Sequence, residues 1–150
     1  MLILRDVQDN DIEYFMKVWR DKDLIASTSG DFTDYSDREL KAWFRVKGNP
    51  LGKIICVDNK IVGDVSLTKE AGGWYELGVR IAEEPYRNKG YGTEAIGQML
   101  DLARQHGFNK ICLQARPENA RAIKVYKNFG FKKSGTPAST DFYERYDLFL

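Results

Sequence analysis

The chain has 150 residues, enough to bury a sizeable core in one domain spanning 1–150. With 43% hydrophobic and 30% charged residues it has the balance of a soluble globular protein, and a formal net charge of +1 gives no global field to hold nucleic acid or an anionic membrane. No apolar run nears the ~20 residues a membrane helix needs, and MLILRDVQDND does not read as a secretory leader, so a cytoplasmic protein with reduced thiols at Cys56 and Cys112 is expected.

LILRDV (2–7) alternates as a first strand should. Asp9 or Asp11 is placed to cap a helix whose Ile12, Phe15, Met16 and Trp19 share one face. A second helix is expected from Ser36 or Asp37, with Leu40, Trp43 and Phe44 inward. KIICV (53–57), the turn DNK (58–60) and IVGDVSLT (61–68) read as a hairpin. WYELGVRIA (74–82) follows as a strand, then a helix over TEAIGQMLDLARQHG (93–107), with Ile96, Met99, Leu100 and Ala103 at helical spacing and Gly107 as its stop. KICLQA (110–115) is a strand, NARAIKVYKNFG (119–130) a helix, and FKKSG and FYERYDLFL final strands. The order predicts an α/β chain with a mixed sheet of six or seven strands and about four helices.

YRNKGYGT (86–93) sets Gly90 and Gly92 where a helix is about to begin, although glycine costs a helix about 1 kcal/mol relative to alanine. Unpaired N–H groups at a helix start carry positive partial charge and bind phosphate, and glycines let oxygen atoms come close. Arg87 and Lys89 add full charge nearby, so the stretch reads as a pyrophosphate cradle or as a tight turn into the helix. Two other phosphate patterns fit less well. Gly90 to Ala95 matches GxGxxG/A, but the following strand reaches Arg116 and Pro117 before any acid appears. Gly48 to Lys53 imitates a Walker loop, one residue short and without its Ser/Thr.

Arg87-x-x-Gly90-x-Gly92 resembles the acyl-CoA pyrophosphate loop of the GNAT acyltransferase superfamily, Q/R-x-x-G-x-G/A. ELGVRIAEEPYRNKGYG looks like that family's central strand and following loop. Asn119 through Tyr126 to Gly130-Phe131 looks like its second signature, N-x-x-A-x-x-x-Y-x-x-x-GF. The two lie about 27 residues apart, the resemblance covers roughly 53 to 135, and the paired helices before it are similar in layout to the branch acting on ribosomal-protein N-termini and small amines. The resemblance implies a mostly antiparallel sheet and an N-acetyltransferase that moves an acetyl group from acetyl-CoA to a primary amine in a ternary complex. Its partners would be acetyl-CoA and a small-molecule or protein N-terminal amine, with no nucleic acid, membrane or metal and with a homodimer allowed.

Carried over by position, the resemblance implies that backbone groups of Val79, Arg80 and Ile81 pair with the pantetheine arm, the Arg80 side chain being free to stay solvated. The pyrophosphate would sit on Arg87, Asn88, Lys89, Gly90, Tyr91 and Gly92, with Thr93 able to cap the helix. Asn119 serves as a helix cap, a cofactor contact or both. Tyr126 would aim its hydroxyl at the thioester sulfur, while its spacing with Ala122 and Phe129 also suits core packing. An amine of pKa ~10.4 must lose a proton before it attacks. Glu76 is the candidate base, or a solvated strand carboxylate, and the Val79 N–H a candidate oxyanion donor. Some relatives place a glutamate where Gln114 stands, and glutamine is no base. His106 suits the helix dipole better than catalysis.

Residues 21 to 41 hold Asp21, Asp23, Asp31, Asp34, Asp37 and Glu39 against Lys22, Arg38 and Lys41. They suit a cationic acceptor or a solvated loop with helix caps, and Trp19, Phe32, Tyr35 and Trp43 suit a pocket or helix packing. Acceptor identity and acyl chain stay open. A CoA-binding module without catalysis is the alternative reading, and a dinucleotide-binding enzyme a more distant one.

Overall fold

The computed structural model describes residues 1–28, 34–46 and 51–150. Seven strands form one sheet in the order β1-β2-β3-β4-β5-β7-β6. They are β1 (Leu2–Asp6), β2 (Gly52–Val57), β3 (Lys60–Lys69), β4 (Tyr75–Ile81), β5 (Lys110–Ala115), β6 (Lys132–Lys133) and β7 (Glu144–Phe149). Every pairing is antiparallel except β4 with β5. Among the described residues the helices are α1 (Ile12–Trp19), α2 (Lys22–Thr28), α3 (Asp37–Val46), α4 (Tyr91–Gln105) and α5 (Ala120–Asn128).

Local chemistry explains most boundaries. Asp58 and Asn59 turn β2 into β3 with φ of 49° and 65°, the left-handed pair that a two-residue hairpin needs. Ser36 accepts the Glu39 N–H at 3.2 Å while Glu39 accepts the Ser36 N–H at 2.8 Å, a capping box for α3. Asp11 precedes α1 without capping it; its side chain closes a capping box on the short turn Asp9–Asp11 instead. That carboxylate takes two bonds from Arg5 at 2.8 Å each and one from the Gln8 N–H at 2.7 Å, which binds the entry to α1 onto β1. The short α2 differs from the expected loop, and Leu24 and Ile25 on it are buried.

The main core lies between one sheet face and α4 and α5. Val65, Leu67, Leu77, Ile111 and Leu113 meet Ile96, Met99, Leu100, Ala103, Ile123 and Phe131 there. Each fully buried aliphatic side chain contributes about 1.5–3 kcal/mol relative to exposure. Ile54 and Ile55 are consecutive, so they point to opposite faces; Ile55 joins that core and Ile54 the face covered by α1. On the α1 side, Asp64 sits in register with both Ile54 and Arg80. No described helix is long and apolar enough to cross a membrane.

Candidate functional site

β4 is bonded to β3 along its whole length, from Tyr75↔Lys69 to Ile81↔Gly63. Its pairing with β5 covers only Tyr75↔Ile111 and Glu76↔Cys112, and then the strands part. From Leu77 to Ile81, the alternate N–H and C=O groups turned away from β3 face no strand. Leu77, Val79 and the Ile81 N–H therefore line an open strand edge, while Arg80 between them turns its backbone groups to β3.

The far end of this edge meets the start of α4. A Cβ on Gly92 would stand 3.9 Å from Ile81 Cγ1, so the helix start and the strand end touch. Asn88 and Gly90 have φ of 62° and 86°, and a Cβ on Gly90 would meet nothing within 4 Å. Glycine here meets a backbone requirement and leaves space in front of it. The first intrahelical bond runs from the Glu94 N–H to the Gly90 carbonyl at 3.0 Å, so the N–H groups of Tyr91, Gly92 and Thr93 have no intrahelical acceptor. The helix begins at Tyr91 with Gly90 as its cap, which puts Thr93 a turn inside rather than at the capping position. An anion fits this end, by both its dipole and its donors.

Arg87 departs from the expected phosphate contact. Its Nε donates to the Ile81 carbonyl and its Nη2 to the Ala82 carbonyl, both at 2.9 Å, and its own N–H donates to the Glu84 carbonyl at 3.0 Å. Arg87 braces the loop onto the end of β4, and exposed Lys89 is the nearby charge left open. Arg80 departs too. Its side chain is 12% exposed, not solvated, and pairs with Asp64 through bonds of 3.0 and 3.2 Å. Tyr14 of α1 donates to the same Asp64 oxygen at 2.7 Å.

Glu76 is half-buried at the last paired position before the strands part. Burial raises its pKa, a hydrogen bond from Gln114 opposes the rise, and the nearby Glu70 carboxyl adds to it. The Gln114 Nε2 donates to Glu76 Oε1 at 2.8 Å. Asn119 accepts the Ala122 N–H at 3.3 Å and so caps α5. Two turns on, Tyr126 packs edge-on to Phe131 with centroids 6.3 Å apart. Burial alone raises the Tyr126 pKa, and its hydroxyl makes no hydrogen bond among the described residues. Both thiols are free, and burial pushes Cys112 up to about 11. His106 ends α4 and stacks on Phe108.

Several acids of the 21–41 segment serve helix ends and ion pairs. Asp21 accepts the Leu24 N–H at 3.1 Å, Asp37 pairs with Arg20, and Glu39 belongs to the α3 capping box. Asp31, Phe32 and Gly48 to Pro50 lie outside the described residues. Reading residue types did not single out Asp64, Tyr14 or Ser139. The alternation of β3 puts Asp64 and Ser66 on one face, the one signal available for the first of them.

The sequence profile of the family described as Acetyltransferase (GNAT) domain matches residues 1–132. The probable N-acetyltransferase camello of Xenopus tropicalis is 35% identical over 81 residues, which are 52% of this chain and 36% of that protein. The chain spans 28 to 36% of the length of the first curated relatives it matches. Among solved structures, a domain from Methanocaldococcus jannaschii superposes with a TM-score of 0.80 at 23% identity, covering 100% of this chain and 99% of that one. The spermidine N-acetyltransferase of Vibrio cholerae, solved with CoA and spermine, gives a TM-score of 0.80 at 18% identity, covering 99% of this chain and 94% of that one.

Proposed function

We propose that this chain, which belongs to the GNAT acetyltransferase family, moves an acetyl group from acetyl-CoA to a primary amine while both are bound. The observation that carries the reading is the parting of β4 from β5 beyond Glu76 and Cys112, beside the free N–H groups that open α4. An extended amide-bearing arm ending in a pyrophosphate matches those two features in that order. Acetyl-CoA supplies an acyl group already activated as a thioester.

The edge at Val79 and the Ile81 N–H would hold the pantetheine arm by strand-like bonds, with Arg80 between them keeping β4 on β3. The turn of Asn88, Lys89 and Gly90 with the N–H groups of Tyr91, Gly92 and Thr93 would hold the phosphates, with Arg87 bracing the end of β4 beside it. Asn119 caps α5 two turns before Tyr126, whose hydroxyl would reach the sulfur. An ammonium group of pKa ~10.4 needs a proton acceptor before it attacks. Glu76 takes that role: its burial brings it nearer to the operating pH than a solvated carboxylate. Glu76 takes the first proton and frees the amine. As nitrogen then bonds to the acetyl carbon the carbon–sulfur bond breaks, and the departing thiolate takes the Tyr126 proton. The second nitrogen proton returns to the Tyr126 oxygen, and Glu76 gives its proton to water as the products leave. Cys112 stays a thiol at neutral pH, so it is a poor nucleophile and direct attack by the amine is favoured over an acyl-cysteine.

For the acceptor, the spermine-bound neighbour and the exposed acids Asp23 and Asp34 favour a cationic amine such as a polyamine. Calorimetric titration with acetyl-CoA, followed by thiol release with polyamines, lysine and N-terminal peptides, tests the reading. Binding with amine-dependent thiol release is expected. Binding without release from any amine would make the chain a CoA-responsive module, and no binding would overturn the assignment.

A further inference from the structure

Gln114, which cannot itself act as a base, is held at both ends of its amide. Nε2 donates to Glu76 Oε1 at 2.8 Å, and Oε1 accepts two bonds from Ser139, from its backbone N–H at 2.8 Å and its hydroxyl at 2.7 Å. A backbone N–H only donates, so Ser139 decides which end of the amide is oxygen and turns the NH2 toward Glu76. The three residues come from β4, from the neighbouring parallel strand β5, and from the 134–143 connection ahead of β7. Cys112 is opposite Glu76, and Gln114, two residues on, projects from the same face.

We propose that Gln114 is a positioning residue for Glu76. It holds one carboxylate oxygen and sustains the charged form against burial and the adjoining Glu70 carboxyl, so that Glu76 can receive the acceptor's proton, under the control of the 134–143 connection through Ser139. The inference rests on Glu76 being the proton acceptor. A neutral amide suits the task because the surroundings already hold opposing charges. Glu70, just past β3, raises the Glu76 pKa, Arg145 of β7 lowers it while itself bonded to Asp147 at 2.9 Å, and Cys112 stays neutral. A glutamate at position 114 would instead face Glu76 as a like charge and hold one of the two protonated.

Two measurements on the full chain test this, the pH titration of the Glu76 carboxyl carbon by NMR and the pH–rate profile with acetyl-CoA and a competent amine. A hydrogen bond to a charged group stabilises it enough that its loss in Gln114→Ala should raise the Glu76 titration, and with it the acid limb of the rate, by about one pH unit. Gln114→Glu, nearly isosteric, should move both further in the same direction. Ser139→Ala should move them less, since the backbone N–H remains. The KM for acetyl-CoA should stay near its starting value while kcat falls. A Glu76 titration unchanged in Gln114→Ala and Gln114→Glu overturns the positioning role. A fully active Glu76→Gln enzyme overturns the base assignment beneath it, whatever the NMR titration shows.

Discussion

The Tyr126 ring is half-buried, its hydroxyl makes no hydrogen bond among the described residues, and it is not one of the fully buried unpartnered polar atoms, so it stays open to a partner from outside. Burial raises its pKa and keeps it a phenol throughout the neutral range. Tyr126→Phe removes the oxygen and keeps the edge-on contact with Phe131, so the melting temperature and the acetyl-CoA affinity should change little. Turnover should fall by about 10-fold to 10³-fold, at or below the usual effect of one acid–base group, because a CoA thiol of pKa ~8.5 leaves tolerably unaided. Steady-state rates beside calorimetric affinities decide, and full activity would return Tyr126 to packing. Its place was legible from Asn119, whose cap sets the phase of α5. The Arg80 partnership was not, since Asp64 becomes its neighbour only through the register of β3 on β4.

Helix α4 has a left-handed glycine at each end, Gly90 with φ of 86° and Gly107 with φ of 74°, and a Cβ on either would meet nothing within 4 Å. The pair separates backbone strain from ligand access. Gly90→Ala and Gly107→Ala should each cost about 1–2 kcal/mol of stability by the same conformational penalty. Only Gly90→Ala should also weaken acetyl-CoA in calorimetric titration, because only its methyl group enters the space facing the free N–H groups. Equal affinity losses in both would trace the effect to the helix rather than to the cradle. Arg87→Ala should weaken acetyl-CoA and a pantetheine fragment lacking the ADP portion by the same factor, since the guanidinium holds the end of β4. A loss confined to acetyl-CoA would place that charge on phosphate. The strands, α4 and α5 were readable because period and punctuation agree there. Helix α2 was not: seven residues opening Lys22-Asp23 give periodicity too little length to mark Leu24 and Ile25 as buried. Nor does any residue type announce where β4 and β5 separate, or that carbonyls five and six residues back would occupy Arg87.

At the scale of the molecule, Tyr14, Asp64 and Arg80 fasten the α1 side to the middle of the sheet. Asp64 and Arg80 are 16% and 12% exposed, so Asp64→Ala strands a buried guanidinium and should cost about 3–5 kcal/mol in urea unfolding. Tyr14→Phe removes one neutral donor and should cost about 1 kcal/mol. Similar costs for the two would mean that Arg80 finds water or another partner once Asp64 is gone.

The separation of β4 from β5 leaves a seam across the molecule. Residues 2–81 supply the four strands on one side and residues 110–149 the three on the other, with two residue pairs joining them and α4 packed across. A guest lying along β4 would take up ladder groups that no described strand reaches, and so would act as the sheet's absent rung as well as its reagent. At 100 times its dissociation constant such a guest adds about 2.7 kcal/mol to stability. Slowed hydrogen exchange on β4 upon adding acetyl-CoA should report it, with the terminal strand β1 unaffected as the internal reference. On the proposed reading the fold is finished by its own substrate, and occupancy and rigidity should rise and fall together.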